Sequence, residues 1–149
     1  MMTPYPHHYE TSAQGTPTGN VEARASGLPT LQTTPPPEFG GPEGHWSPET
    51  LLCAAVADCF ILTFRAVSRA ARIEWSQLEC HVRATLERVD GVSQFTRFDT
   101  RAVLTVGPGV DEAQARAALD KAEHGCLVAN SMKGARTLEA RIAREGQAG

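Results

Sequence analysis

The 149-residue chain has little of what usually assigns a function at sight. It has no basic excess: the net charge is −3 and the pI near 5.9, so nucleic acid is not an expected partner. It has no CxxC pair among Cys53, Cys59, Cys80 and Cys126, and their spacings match no common zinc site. Residues 1–20 are polar, Pro-rich and uncharged except for Glu10, without the apolar core of a standard secretory signal. The most apolar stretch, Leu51 to Phe64, contains Asp58 and falls short of the ~20 residues of a membrane span. These absences predict a cytoplasmic protein with reduced thiols, no membrane partner and no resident metal. Apolar residues are scarce too. Leu, Ile, Val and Phe make up 29 of 149, and only Val21, Leu28, Leu31 and Phe39 precede Ser47. The first third therefore cannot hold a core of its own and must lean on something else.

What is there fits one domain over residues 1–149, with residues 1–20 its candidate flexible stretch and no internal repeat. Weak strand candidates lie at Tyr9–Ala13, Asn20–Ala25 and Thr30–Thr34. The Pro35-Pro36-Pro37 run and Phe39-Gly40-Gly41-Pro42 predict a loop. Ser47-Pro48-Glu49 is a strong helix start, with Ser47 at the N-cap, Pro48 at N1 and Glu49 at the positive end of the dipole. The predicted central helix covers 47–71. It is apolar on nearly every side until Arg65, which suits the centre of a fold. Leu78, Cys80, Val82, Ala84 and Leu86 alternate with polar residues as the inner face of a strand. Asp90-Gly91 supplies a hairpin turn, and Phe98, Ala102, Leu104 and Val106 continue on the return strand. Asp111 and Gln114 resemble a capping box before a helix striped by Ala115, Ala118, Leu119 and Ala122, with Gly125 as its C-terminal cap. A last strand carries Leu138, Ala140 and Ile142. The order predicts an α+β fold with antiparallel sheets around a long buried helix.

Two cysteines are chemically open. Cys59 sits about three turns into the apolar helix, and Cys126 follows Gly125, where a loop would present it. Each suits core packing or thiol chemistry, and sequence spacing alone does not join them. Cys53 and Cys80 read as core residues. His7-His8 reads as solvated tail, and Arg65, Arg69 and Arg72 as a solvated face. His45-Trp46 suits a pocket mouth or a staple at the helix start. His124, two residues before Cys126, suits either an auxiliary to that thiol or a helix end.

The run from Phe39-Gly40-Gly41-Pro42 through Ser47-Pro48-Glu49 to Ala57-Asp58-Cys59-Phe60 resembles the OsmC/Ohr family of osmotically inducible and organic-hydroperoxide-resistance proteins. His124-Gly125-Cys126-Leu127-Val128-Ala129-Asn130-Ser131 resembles the family's second cysteine box, and Thr137–Ile142 its closing strand. The resemblance implies the OsmC/Ohr-like fold and an intertwined homodimer with shared sites, which would give the apolar-poor first third its core. It implies a stress-related peroxidase that works by cysteine alone, with no haem, metal or flavin. On that resemblance Cys59 would attack the hydroperoxide as thiolate and become a sulfenic acid. Cys126 would resolve it to a disulfide, to be reduced by an external thiol or dithiol, small or borne on a lipoyl-bearing protein. Glu49 matches the glutamate that holds an active-site arginine in the family. Arg24 is the only arginine before the helix and is the candidate auxiliary, with His124. The second box departs from the pattern in reading Cys-Leu where Cys-Pro is usual, and Asp58 would raise the neighbouring thiol if it faced it. Two other readings stand beside the peroxidase: a thiol–disulfide redox protein with weak peroxidase activity, and a module binding a small apolar ligand.

Overall fold

The computed structural model describes residues 2–146. It divides into two compact units after Leu51. In the first, β1 (Ser12–Gln14), β2 (Val21–Arg24) and β3 (Leu31–Thr33) form an antiparallel sheet in that order. The Pro-rich run is not all loop. Pro37–Phe39 makes one 3-10 turn, because proline is acceptable at the start of so short a helix. Among the described residues of this unit only Thr33, Thr34 and Ser47 are buried, while Val21, Leu28, Leu31, Phe39 and Trp46 are exposed. The expected lack of a core is thus seen directly.

Helix α1 spans Pro48–Ala71. The Ser47 hydroxyl accepts the Thr50 amide at 3.2 Å, and the Ser47 amide donates to the Thr50 hydroxyl at 2.9 Å, so Thr50 plays the reciprocal part of a capping box. At its far end Arg72 turns left-handed (φ 56°), and the Ile73 amide reaches back to the Ser68 carbonyl at 3.0 Å. α1 is less enclosed than its composition suggests. Its buried residues are Val56, Phe60, Phe64 and Ser68, a single stripe four residues apart, and Leu62 is 57% exposed.

In the second unit β4 (Trp75–Val89) and β5 (Val92–Val106) form a long antiparallel hairpin. Asp90 and Gly91 turn it with φ of 51° and 80°, the paired left-handed conformation of a two-residue hairpin loop. Leu86, expected on the inner face, is 40% exposed. A register shift between Thr85 and Leu86 ends the alternation there. Then follow α2 (Glu112–Gly125), the single turn α3 (Leu127–Asn130) and β6 (Ala135–Arg144). β6 pairs with β5 in parallel, so the antiparallel expectation fails at this one edge. The physical reason is the route: the chain leaves β5 and returns through two helices, and such a crossover brings it back in the same direction. The order is β4-β5-β6.

At α2 the Asp111 carboxylate accepts the Gln114 amide at 3.1 Å, but the Gln114 side chain reaches the Ala71 carbonyl at 3.3 Å instead of completing the box. The larger apolar cluster joins Phe60 and Phe64 of α1, Leu78, Ala102, Leu104 and Val106 of the sheet, and Ala115, Ala118, Leu119 and Ala122 of α2. Trp75 stands edge-on to Phe64 and donates its indole N–H to the Ser68 hydroxyl at 2.9 Å.

Candidate active site

A second, smaller cluster holds the sulfur chemistry. Its buried members are Val56, Phe98, Cys126 and Ala129, and Leu52, Cys59, Val82, Ala84, Phe95, Val128 and Met132 pack against it. Cys59 and Cys126, 67 positions apart in sequence, therefore share one site. Cys126 is not presented on a loop. It is the sole joint between α2 and α3 and is fully buried, with its thiol turned to the Val56 carbonyl of α1 at 3.9 Å. Gly125 is the last residue of α2 and not a left-handed cap. Its service is room: a Cβ there would stand 3.3 Å from the Thr63 methyl, on the turn of α1 just beyond Cys59.

The two thiols are driven apart electrically. Burial alone would raise Cys59. Against it act the Val128 amide, the Cys126 thiol, the Thr63 hydroxyl and the Leu127 amide, and together they hold Cys59 below the ordinary thiol value of 9.0. Thr63 lies one helical turn on, with its oxygen 3.9 Å from the Cys59 sulfur and its hydroxyl donating to the Cys59 carbonyl at 2.7 Å. Cys126 is pushed up to about 11, first by burial and then by its bond to Cys59 and the negative charges of Cys59 and Glu123. One site thus contains a thiol inclined to ionise and a partner inclined to keep its proton. The groups that lower Cys59 are all uncharged. One of them arises from the departure in the second box, since proline at position 127 would have no N–H to offer.

Cys80 is pushed up to about 12 by burial and by Glu123, Cys126 and Asp58, and Cys53 is raised by burial. Half-buried Cys80 packs against the larger apolar cluster, whereas half-buried Cys53 belongs to neither cluster. Asp58 is exposed and its charge acts on Cys80; it is not among the groups that shift Cys59. The His124 ring bonds to the Asp120 carbonyl at 2.8 Å and not to a thiol. In the N-terminal unit Arg24 is exposed and paired with Glu22. Glu49 is half-buried, and its Oε1 is buried without a hydrogen-bond partner among the described residues.

The sequence reading missed Thr63, Arg136 and the two amides. Only Thr63 had a legible signal, its i+4 spacing from Cys59. Arg136 of β6 pairs with Glu123 at 2.8 Å and donates to Asn130 Oδ1 at 2.7 Å. Beside the cysteine cluster an open cavity of about 330 Å³ is lined by Leu52, Phe95, Phe98 and Met132, with Val92, Gln94 and Lys133 completing its wall. Four of these side chains belong to the cysteine cluster, so the cavity and the cluster share part of their apolar lining. Among the described residues no group of three or more His, Cys, Asp or Glu side chains is placed to hold a metal ion.

Solved structures share the fold. The organic hydroperoxide resistance protein OsmC of Legionella pneumophila superposes with a TM-score of 0.73 at 24% identity, over 94% of this chain and 99% of that one. An OsmC-like protein of unknown function from Vibrio cholerae gives 0.81 at 15% identity, over 91% and 99%. An organic hydroperoxide resistance protein from Elizabethkingia anophelis gives 0.75 at 19%, over 96% and 100%. No curated protein matches in sequence. The family model described as OsmC-like protein matches residues 40–141, a span that takes in both cysteines of the site and most of the closing strand, and the chain is therefore a member of the OsmC-like family.

Proposed function

We propose that the protein is a cysteine-based peroxidase for organic hydroperoxides, acting in a cytoplasmic stress response. The observation that carries this reading is the pairing of a lowered Cys59 thiol with a raised Cys126 thiol in one apolar cluster. The Cys59 thiolate attacks the hydroperoxide O–O bond, taking one oxygen and releasing the alkoxide, which takes up a proton and leaves as alcohol. The resulting sulfenic acid is trapped by Cys126, forming the disulfide and releasing water before over-oxidation. An external dithiol, small or lipoyl-borne, then restores both thiols. The apolar cavity favours greasy hydroperoxides over hydrogen peroxide. No metal or organic cofactor is part of the cycle.

The exposed apolar flank of α1 and the coreless first unit support a homodimer, because a face of this kind gains by being covered. In the family's pattern Glu49 holds a cation for the thiolate, and its unpartnered buried oxygen suits that task; Arg24 is the candidate cation. The test is thiol titration with peptide mapping after one equivalent of cumene hydroperoxide. Two thiols are lost within seconds in the wild type, as a Cys59–Cys126 disulfide, and none in Cys59→Ser. Unchanged thiols after minutes would sink the proposal.

A second reading has its own observation. None of the groups that lower Cys59 is charged, which favours a thiol–disulfide redox protein with slow peroxide chemistry. Rapid oxidation by disulfides with sluggish reaction toward hydroperoxide would select it. A module that only binds an apolar ligand would instead tolerate Cys59→Ser and Cys126→Ser without loss of ligand.

A further inference from the structure

We infer that Arg136 is a positioning residue for the second chemical step: from β6 it grips both ends of the turn that carries Cys126, and so sets where the resolving sulfur stands against Cys59. The inference rests on the peroxidase reading and deepens it.

Cys126 is the single residue between α2 and α3, so the place of its sulfur depends on how those two helices are joined. At the α2 side, Arg136 Nε donates to the Glu123 carboxylate at 2.8 Å, and Nη2 donates to the Glu123 carbonyl. At the α3 side, Nη1 donates to Asn130 Oδ1 at 2.7 Å. The same two residues hold Cys126 by its backbone. Glu123 O accepts the Cys126 amide at 3.4 Å, and the Asn130 amide donates to the Cys126 carbonyl at 2.9 Å. The Asn130 side chain closes the frame by donating to the His124 carbonyl at 3.0 Å. Arg136 and Glu123 are largely enclosed, with side chains 25% and 15% exposed. A guanidinium suits this task because it offers several donors in a rigid fork; the lysine ammonium is a single point of charge.

The sulfenic acid on Cys59 has two fates. In one, the Cys126 sulfur attacks the Cys59 sulfur, the S–S bond forms, the S–O bond breaks, and the thiol proton leaves with the hydroxide as water. In the other, a second hydroperoxide adds its oxygen to give the sulfinic acid and departs as alcohol. Holding Cys126 in place favours the first, since small displacements of a reacting atom cost large factors in rate.

The test compares reduced wild type, Arg136→Gln and Arg136→Lys, at a pH where Cys59 is fully ionised, with two oxidants in parallel. The first is excess cumene hydroperoxide. Arg136→Gln should oxidise Cys59 at the wild-type rate but close the disulfide roughly tenfold or more slowly, accumulating Cys59 sulfinic acid by intact mass. Arg136→Lys should fall between, keeping the charge beside Glu123 without the fork. The second oxidant is glutathione disulfide. The Cys59 thiolate displaces one glutathione thiolate, and Cys126 then displaces the other as the disulfide closes; that second stage should slow by the same factor. A wild-type ratio of disulfide to sulfinic acid in Arg136→Gln overturns the inference, as does equal slowing of both stages in both variants, which marks general damage to the unit. If wild type leaves hydroperoxide untouched yet closes its disulfide with glutathione disulfide, the peroxidase reading fails, and the glutathione series alone decides the role of Arg136.

Discussion

Two apolar clusters lie side by side under the same β-sheet, and they are built for different ends. The larger joins α1, the sheet and α2 through Phe60, Phe64, Leu104, Leu119 and a row of alanines; it contains no reactive group among its fully buried members. The smaller has only Val56, Phe98, Cys126 and Ala129 fully buried, is open to a cavity, and keeps Cys59 half-covered. A close-packed cluster stabilises by excluding water and filling space. A site must leave space for a substrate and let polar donors reach a thiolate. The difference suggests that stability and reactivity are carried by separate residues of the same sheet face.

Substitution should separate the two. The largest effect belongs to Cys59→Ser, which should abolish hydroperoxide-dependent thiol loss while leaving thermal unfolding near wild type, read by thiol titration and calorimetry on one sample. Phe64→Ala in the larger cluster should do the reverse. It removes a fully buried ring and should cost about 3–5 kcal/mol of stability in denaturant titration, with Cys59 still reactive wherever the chain remains folded.

Leu127→Pro is a finer cut. Leu127 is 67% exposed and begins a helical turn, where proline is welcome. Cys126 before it is already extended, with φ −67° and ψ 102°, as proline requires. The change deletes one amide donor to Cys59 and little else. Cys59 is an acid held below its ordinary value, so alkylation by iodoacetamide should rise with pH and level off earlier than for a free thiol. Leu127→Pro should move that midpoint upward, whereas Leu127→Ala should not. An unmoved midpoint in Leu127→Pro would show that this amide does not support the thiolate.

Half-buried Cys80 and buried Cys126 give the opposite sign. Both are raised, to about 12 and about 11, so the folded chain retains protons that the unfolded chain loses. Stability is intact below the ordinary thiol value and falls as pH climbs from there toward the raised values. Cys80→Ala should flatten that alkaline decline in a series of denaturant titrations. The smallest change is Asp111→Ala, which removes the α2 cap and should cost about 1 kcal/mol without altering the alkylation profile of Cys59.

The elements that could be read from sequence were those specified by neighbouring residues. Ser47-Pro48-Glu49 starts α1 because a cap is satisfied within one turn, and Asp90-Gly91 turns the hairpin because two adjacent residues must both adopt positive φ. Other features failed for want of long-range information. Leu86 keeps the alternation of an inner-face residue, but a register shift against β5 exposes it. β6 has the pattern of any strand, and its parallel direction is set by the crossover through α2 and α3. Gly125 has the composition of a helix cap, but its closeness to Thr63 is a tertiary fact. Arg136 looks like one more polar residue on a strand, and nothing near it in sequence announces Glu123 or Asn130 as its partners.

By itself, then, the sequence determined the helix starts, the hairpin turn, the poverty of the first third and the two boxes that mark the family, since local backbone sterics, capping and composition act over a few residues. Only the tertiary structure decided that Cys59 and Cys126 meet, that Asp58 acts on Cys80 and not on Cys59, and which of two chemically alike thiols is lowered and which is raised. A thiol's acidity is set by burial and by donors close in space, and here three of the four donors to Cys59 come from a turn almost seventy residues further along the chain, with Thr63 the local exception.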